Sequence, residues 1–313
     1  MSMTSASPHH APVMPAEVLS LLAPREDGLY VDCTVGLGGH TELLLAAGAG
    51  RVIGLDRDAS ALAHARTRLA SSPRNLLHAD WPARVELVHA DYRTLPQVLA
   101  ERHITSIDGA LADLGVSSMQ LDDAERGFSF RNDGPLDMRM DAGAGESLAD
   151  RLASVDEGTL ADVIFQYGEE RHARRIARAI VAARGRQPLV RTGELASVVR
   201  RAAGGGTWQR LDPATRTFQA LRIWINGELE GLDLFLRSTV AALRTGGRLV
   251  VISFHSLEDR IAKHTFKAMA RPSDGSAPLG RVLTPKPLEP TEAEREENPR
   301  SRSAKLRAME RVA

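Results

Sequence analysis

The chain of 313 residues predicts an α/β protein, a parallel sheet flanked by helices and split by an all-helical insertion. Three observations carry this. From Leu29 to about Asp113, short β-branched or apolar runs alternate with stretches of helical periodicity, as strand–helix–strand units do. After Asp113 the strand signals stop for about 130 residues and helical periodicity replaces them. The most hydrophobic strand, residues 248–254, then follows Gly246-Gly247 and returns the chain to the sheet. These breaks give three segments: 1–115 and 213–313 as the two parts of a sheet domain, and 116–212 as the helical insertion.

Taken in order, residues 1–15 are polar and lack the apolar core of a signal peptide. No apolar run reaches the ~18 residues of a membrane span, so a cytosolic location is expected. Residues 30–35 read as the first strand and feed a glycine turn, Gly36-Leu37-Gly38-Gly39-His40, that opens a helix over 41–47. Further strands are expected at 51–56, 85–90 and 107–113, and helices at 59–69 and 95–101. The stretch 71–84, with Pro73, Asn75 and Pro82, reads as a long exposed loop. Helices at 148–152, 159–165, 169–183 and 192–202 fill the insertion, and Gly204 to Gly206 act as a breaker. Asp212-Pro213 signals a helix start, Asp as N-cap and Pro in the first turn, for a long helix over 214–232 that leads back to the sheet. Beyond Pro272 the chain is rich in Pro and charge, and only 303–312 is regular enough to add a final edge strand.

Hydrophobic content of 43% and charged content of 26% describe a soluble globular protein. The single cysteine, Cys33, excludes an internal disulfide and a multi-cysteine zinc site, and no metal is expected. Net charge is zero, but its distribution is uneven. Twelve arginines between Arg171 and Arg222 face only Glu194 and Asp212, a balance of +10 that the rest of the chain offsets with −10. Four lysines in an Ala- and Arg-rich chain suggest a GC-rich genome, so the lopsided sign, and not the choice of arginine, is the nucleic-acid signal. Arg171, Arg174, Arg175 and Arg178 fall at i, i+3, i+4 and i+7, opposite Ile176 and Ile180, giving one cationic face and one core face.

The glycine turn lets a backbone approach a ligand closely, and the following helix points free N–H groups at it. Asp56 ends the neighbouring strand, twenty residues after Gly36, where it can accept hydrogen bonds from ribose hydroxyls. A dinucleotide fingerprint would need glycine at 41, and Thr41 stands there; S-adenosylmethionine, which has no pyrophosphate, fits better than NAD. Asp91-Tyr92 and Asp113 end the next two strands. Any one of these acids alone reads as a solvated strand end or a cap; together, at successive strand ends, they outline an adenosine site. The segment 108–141 (DGALADLGVSSMQLDDAERGFSFRNDGPLDMRMD) has no period yet is rich in apolar residues, which marks a functional loop.

Here the chain resembles the bacterial RsmH (MraW) family of ribosomal RNA small-subunit methyltransferases. The resemblance covers nearly the whole chain. It rests on His10-Ala11-Pro12-Val13 with Glu17-Val18-Leu19, DCTVGLGGHT, DLGVSSMQLDDAERGFSF with GPLDMRMD, YGEERHARRIA, PATRTFQALRIWIN, GGRLVVISFHSLEDR and NPRSRSAKLR. It implies a class I (Rossmann-like) methyltransferase sheet with a helical domain inserted, acting with S-adenosylmethionine on the N4 amine of one cytidine in the decoding region of 16S rRNA. Carried over by position, the cofactor contacts are Gly38, Gly39, His40, Asp56, Tyr92, Asp113 and Gln120. The chain departs at the 71–84 loop, longer than usual, and at Asp212, where many members have histidine.

Cytosine N4 is a poor nucleophile because its lone pair is delocalised into the ring, so catalysis needs in-line positioning and an acceptor for the amine proton. Asp113 is the first candidate acceptor. His255, at the end of the strand 248–254, is the second; it reads equally well as a helix-capping neighbour of Ser256, with Asp259 as box partner. Phe128, Phe130 and Phe254 are candidates for stacking on an extruded base, or core residues. Methylation at carbon 5 would need a cysteine nucleophile, and Cys33 lies inside a strand. An NAD(P)-dependent oxidoreductase and a non-catalytic RNA-binding protein are the competing readings.

Overall fold

The computed structural model describes residues 11–71, 81–204 and 212–312. The chain divides into two compact units: residues 1–115 with 231–313, and residues 116–230. The second division was expected at 212/213 and falls at 230/231.

In the first unit, helix α1 (Pro15–Leu22) precedes β1 (Leu29–Asp32), α2 (Gly39–Ala46), β2 (Arg51–Asp56), α3 (Ala59–Ser71), α4 (Trp81–Arg84), β3 (Val85–His89), α5 (Leu95–Glu101) and β4 (Ile107–Asp113). The helical unit holds α6 (Ser118–Asp122), α7 (Leu148–Ser154), α8 (Glu157–Gly168), α9 (Ala173–Arg184), α10 (Thr192–Ala203) and α11 (Ala214–Asn226). The chain then completes the first unit with α12 (Leu232–Ala242), β5 (Leu243–Ser253), α13 (Ser256–Ala270), β6 (Gly280–Val282), α14 (Glu292–Glu297) and β7 (Lys305–Arg311).

The seven strands run in the order β3-β2-β1-β4-β5-β7-β6. The first five are parallel, and β7 pairs antiparallel with both β5 and β6. Alternate side chains serve opposite faces, as strand geometry demands. Val31, Ile53, Ala110 and Val251 enter one core, and Tyr30, Val52, Leu111 and Val250 the other. Burial on both faces explains the near-continuous apolar runs. The strand order reverses between β1 and β4, so the crevice at their carboxyl ends is the place for a ligand.

Several elements differ from expectation, each for a local reason. β1 stops at Asp32 because the Asp32 carboxylate accepts the Thr34 N–H (3.2 Å) and turns the chain. The predicted helix 214–232 stops at Asn226: Gly227 (φ 56°) and Gly231 (φ 67°) hold left-handed conformations, and a separate helix, α12, begins at Leu232. Helix α11 buries Ala214, Phe218 and Leu221 in the helical unit's core and does not return to the sheet. β7 is interior, and the edge strand is β6, three residues long and hidden in the Pro-rich tail. Of the 71–84 loop, Ser71 closes α3 and 81–84 form α4, while 72–80 lie outside the described residues, as do His10 and the Gly205-Gly206 part of the breaker.

The aperiodic segment after Asp113 is pinned into the helical core. Phe128, Leu136, Met138 and Met140 are buried there. The Asn226 amide donates to the Met138 carbonyl (2.8 Å) and accepts from the Met140 N–H (2.8 Å), so one side chain fixes the segment's end to α11.

Candidate active site

Asp32 ends β1 in full burial. Its two oxygens take the Thr34 N–H and the Thr41 hydroxyl (2.7 Å), tying both ends of the glycine turn to one carboxylate. Burial pushes the Asp32 carboxyl up, against the pull of His40 and of the Thr41 and Thr34 hydrogen bonds. Within the turn, Gly38 is the N-cap of α2 at φ 80°, ψ 15°. A side chain at Gly39 would come within 3.4 Å of the Pro12 ring. Thr34 also accepts the Asp113 N–H at 2.7 Å, which joins the end of β4 to the same turn.

His40, in the first turn of α2, is 6% exposed, and neither ring nitrogen has a hydrogen-bond partner among the described residues. Its Nε2 lies 3.6 Å from Asp113 Oδ2, too far for a hydrogen bond. Asp113 Oδ1 is likewise buried without a hydrogen-bond partner among the described residues. Buried polar atoms left unsatisfied by the protein are the atoms a ligand satisfies. The Asp56 carboxylate accepts the Gly36 N–H (2.7 Å) and the Asp58 N–H (2.9 Å), so the end of β2 also holds the turn. Burial pushes Asp56 up to about 6, against those two hydrogen bonds.

Asp91 caps a 3-10 turn after β3 and is bound by Arg93 through Nε (2.8 Å) and Nη2 (2.6 Å). Burial alone would raise this carboxyl; Arg93, with Arg57 beside it, holds it below the usual range. Its oxygens are committed to Arg93, with Arg57 at 3.7 Å. The Tyr92 ring packs on Phe235 at 4.5 Å between centroids. Gln120 lies in the helical unit, 4% exposed, where its side-chain oxygen accepts the Ser117 N–H (2.9 Å) in a capping box.

The capping at α13 differs from expectation. His255 is itself the N-cap: its Nδ1 accepts the Glu258 N–H (3.4 Å), and Glu258 returns a carboxylate to the Phe254 N–H (2.9 Å). Nε2 of His255 sits 3.2 Å from Glu258 Oε1. Asp259, the expected box partner, instead binds Arg307 at 2.6 Å. Phe128 is buried (5% exposed), whereas Phe130, edge-on to Phe218 (4.7 Å), and Phe254, beside the sheet core, are each half-buried. Cys33 is buried, which pushes its thiol well up.

Of the arginine stripe, Arg174, Arg175 and Arg178 lie on α9, and Arg171 precedes it, because α9 begins at Ala173. Arg175 donates to the Ala203 carbonyl (2.6 Å), and Arg178 approaches Glu157 at 3.4 Å. Arg171 and Arg174 are exposed and without a side-chain partner among the described residues. Asp212 accepts the Ala214 N–H (2.8 Å) and pairs with Arg200 (2.9 Å), a structural role for the departure noted above.

Sequence reasoning missed Asp32, Thr34 and Thr41, the three residues that tie the turn to β1 and β4. The available signal was a carboxylate within an apolar strand run, flanked at short range by two hydroxyls.

A parallel sheet continued by an antiparallel β7, with a glycine turn and acidic strand ends at its switch point, defines an S-adenosylmethionine-dependent methyltransferase of the α/β class. Residues 7–312 match the MraW methylase family, and the chain belongs to it. It is 49% identical to the ribosomal RNA small subunit methyltransferase H of Geotalea uraniireducens, over 97% of this chain and 99% of that protein. It is 48% identical to the protein of the same name from Sorangium cellulosum, over 97% and 91%. Among solved structures, an rRNA methylase from Streptococcus thermophilus aligns at a TM-score of 0.41 and 12% identity, over 99% of this chain and 100% of that one.

Proposed function

We propose that this chain transfers the methyl group of S-adenosylmethionine to the N4 amine of a cytidine in the decoding region of 16S rRNA, in the cytoplasm, on the small ribosomal subunit or its precursor. The observation that carries the reading is Asp113: a carboxylate at the switch point with one oxygen toward His40 and the other, Oδ1, buried and unpartnered. The relatives' names supply the RNA, and the exposed guanidiniums of Arg171 and Arg174 supply cations to meet it.

When bound, the cofactor supplies an electrophilic methyl group on a sulfonium. Gly38, Gly39 and His40 would hold its amino-acid end, Asp56 its ribose hydroxyls and Tyr92 its adenine, with Gln120 and Asp113 completing the set. Asp113 Oδ1 accepts a hydrogen bond from the cytosine amine, which draws the nitrogen lone pair out of the ring, and takes the proton that the amine loses. His255 spends Nδ1 on the cap of α13 and keeps Nε2 beside Glu258, so it stays the second candidate acceptor after Asp113. Carbon-5 chemistry is disfavoured by Cys33, buried and held as a thiol.

Incubating the protein with small subunits and methyl-labelled cofactor, then resolving the RNA as nucleosides, tests the reading. Label in N4-methylcytidine is expected, and Asp113→Ala removes it. Label found only in another nucleoside refutes the proposal.

A further inference from the structure

Helix α13 leaves the carboxyl edge of the sheet directly after β5 and turns one side inward, burying Ala262, Thr265, Phe266 and Met269. Its other side is different in kind. Arg260, Lys263, His264 and Lys267 are exposed along it, and Arg271 is exposed just past its end. From Arg260 to Ser273 the chain has no acidic residue and four formal positive charges, without counting His264. Lys263, Lys267 and Arg271 have no ion-pair partner among the described residues. Two of the chain's four lysines stand in this one row.

The arginine-rich stretch of the helical unit is less available than its charge suggests. There Arg175, Arg184, Arg191, Arg200 and Arg222 are committed to carbonyls or carboxylates of the protein. On α13, Lys263, Lys267 and Arg271 have no such commitment among the described residues. Like charges four residues apart, as at Lys263 and Lys267, destabilise a helix slightly, which offsets the favourable place of Lys267 in the last turn of α13. A polyanion outside the protein reverses that sign. Arg260 to Lys267 spans about 10 Å of helix axis, a length over which a strand presents successive phosphates.

We infer that the exposed face of α13 is a phosphate-binding track for single-stranded RNA next to the target nucleotide, on the sheet domain itself. The inference rests on the RNA reading above and adds a second surface to it. Its position fits: α13 begins where β5 ends, and Ile252 of β5 pairs in register with Asp113.

The test is fluorescence anisotropy of the full chain with a labelled 16S rRNA fragment carrying the decoding region, across a salt series. The double variant Lys263→Gln, Lys267→Gln is expected to weaken binding about tenfold near physiological salt. Removing two phosphate contacts should flatten the slope of log affinity against log salt by about 1.4. Affinity for S-adenosylhomocysteine and the melting temperature should stay at wild-type values. Wild-type affinity and slope in this variant, with loss in Arg171→Gln, Arg174→Gln, would confine RNA to the helical unit and overturn the inference. A wild-type protein that binds no RNA would overturn the function reading as well, so the two failures are distinct.

Discussion

Asp56 combines two demands at one carboxylate. It accepts two backbone N–H groups that hold the glycine turn, and burial still raises it to about 6. Ionisation is therefore less favoured in the folded protein than in the unfolded chain. This group's contribution to stability falls as pH rises from the ordinary carboxylate value to about 6, and stays low above it. Ligand binding has the opposite sign, because ribose hydroxyls donate to the ionised form. Affinity for S-adenosylhomocysteine, measured calorimetrically, is expected to be flat above pH 7 and to fall below about 6, approaching a tenfold loss per pH unit. Asp56→Asn should weaken binding and abolish that dependence; a wild-type profile in the variant would remove Asp56 from the cofactor site. Asp32, more deeply buried, was invisible as a site residue because its work is indirect: it holds the turn through Thr34 and Thr41.

At the scale of elements, the turn before α2 separates two glycines that look alike in sequence. Gly38 needs its left-handed backbone, and a side chain there would also meet Ala65 and Leu69 at 3.4 Å. Gly38→Ala should cost about 1 to 2 kcal/mol of stability together with cofactor affinity. Gly39 has no positive φ, so Gly39→Ala should keep its melting temperature and lose cofactor affinity by crowding the approach. Equal melting losses in the two variants would contradict this division. Short elements were hardest to read. The parallel strands announced themselves by apolar runs buried on both faces, whereas β6 has three residues and no period to detect. The helix 214–232 was over-read because apolar periodicity continues on both sides of Gly227 and Gly231, and only their left-handed backbones reveal the break.

Over the whole molecule, the sheet and the existence of a helical unit were legible because each has its own hydrophobic period. The second boundary was not, since α11 carries an apolar face that would suit either core, and only the packing of Phe218 and Leu221 assigns it. The placement of the turn, Asp56, Asp91-Tyr92 and Asp113 at strand ends was readable by position, while Gln120 came from family resemblance and not from pattern. Separate cores predict separate cooperativity. Ile176 is fully buried in the helical core, so Ile176→Ala should destabilise that unit by about 2 to 5 kcal/mol. Hydrogen exchange should then quicken in α8 to α11 and stay unchanged in β1 to β5; an equal rise in both would show one cooperative unit. The central claim joins cofactor and target at one strand end. A crystal structure with S-adenosylhomocysteine and cytidine bound tests it most directly. The ribose hydroxyls are expected on Asp56 and the cytosine N4 within hydrogen-bond distance of Asp113 Oδ1; a cytidine amine held elsewhere, with Asp113 Oδ1 still unpartnered, would contradict the proposed function.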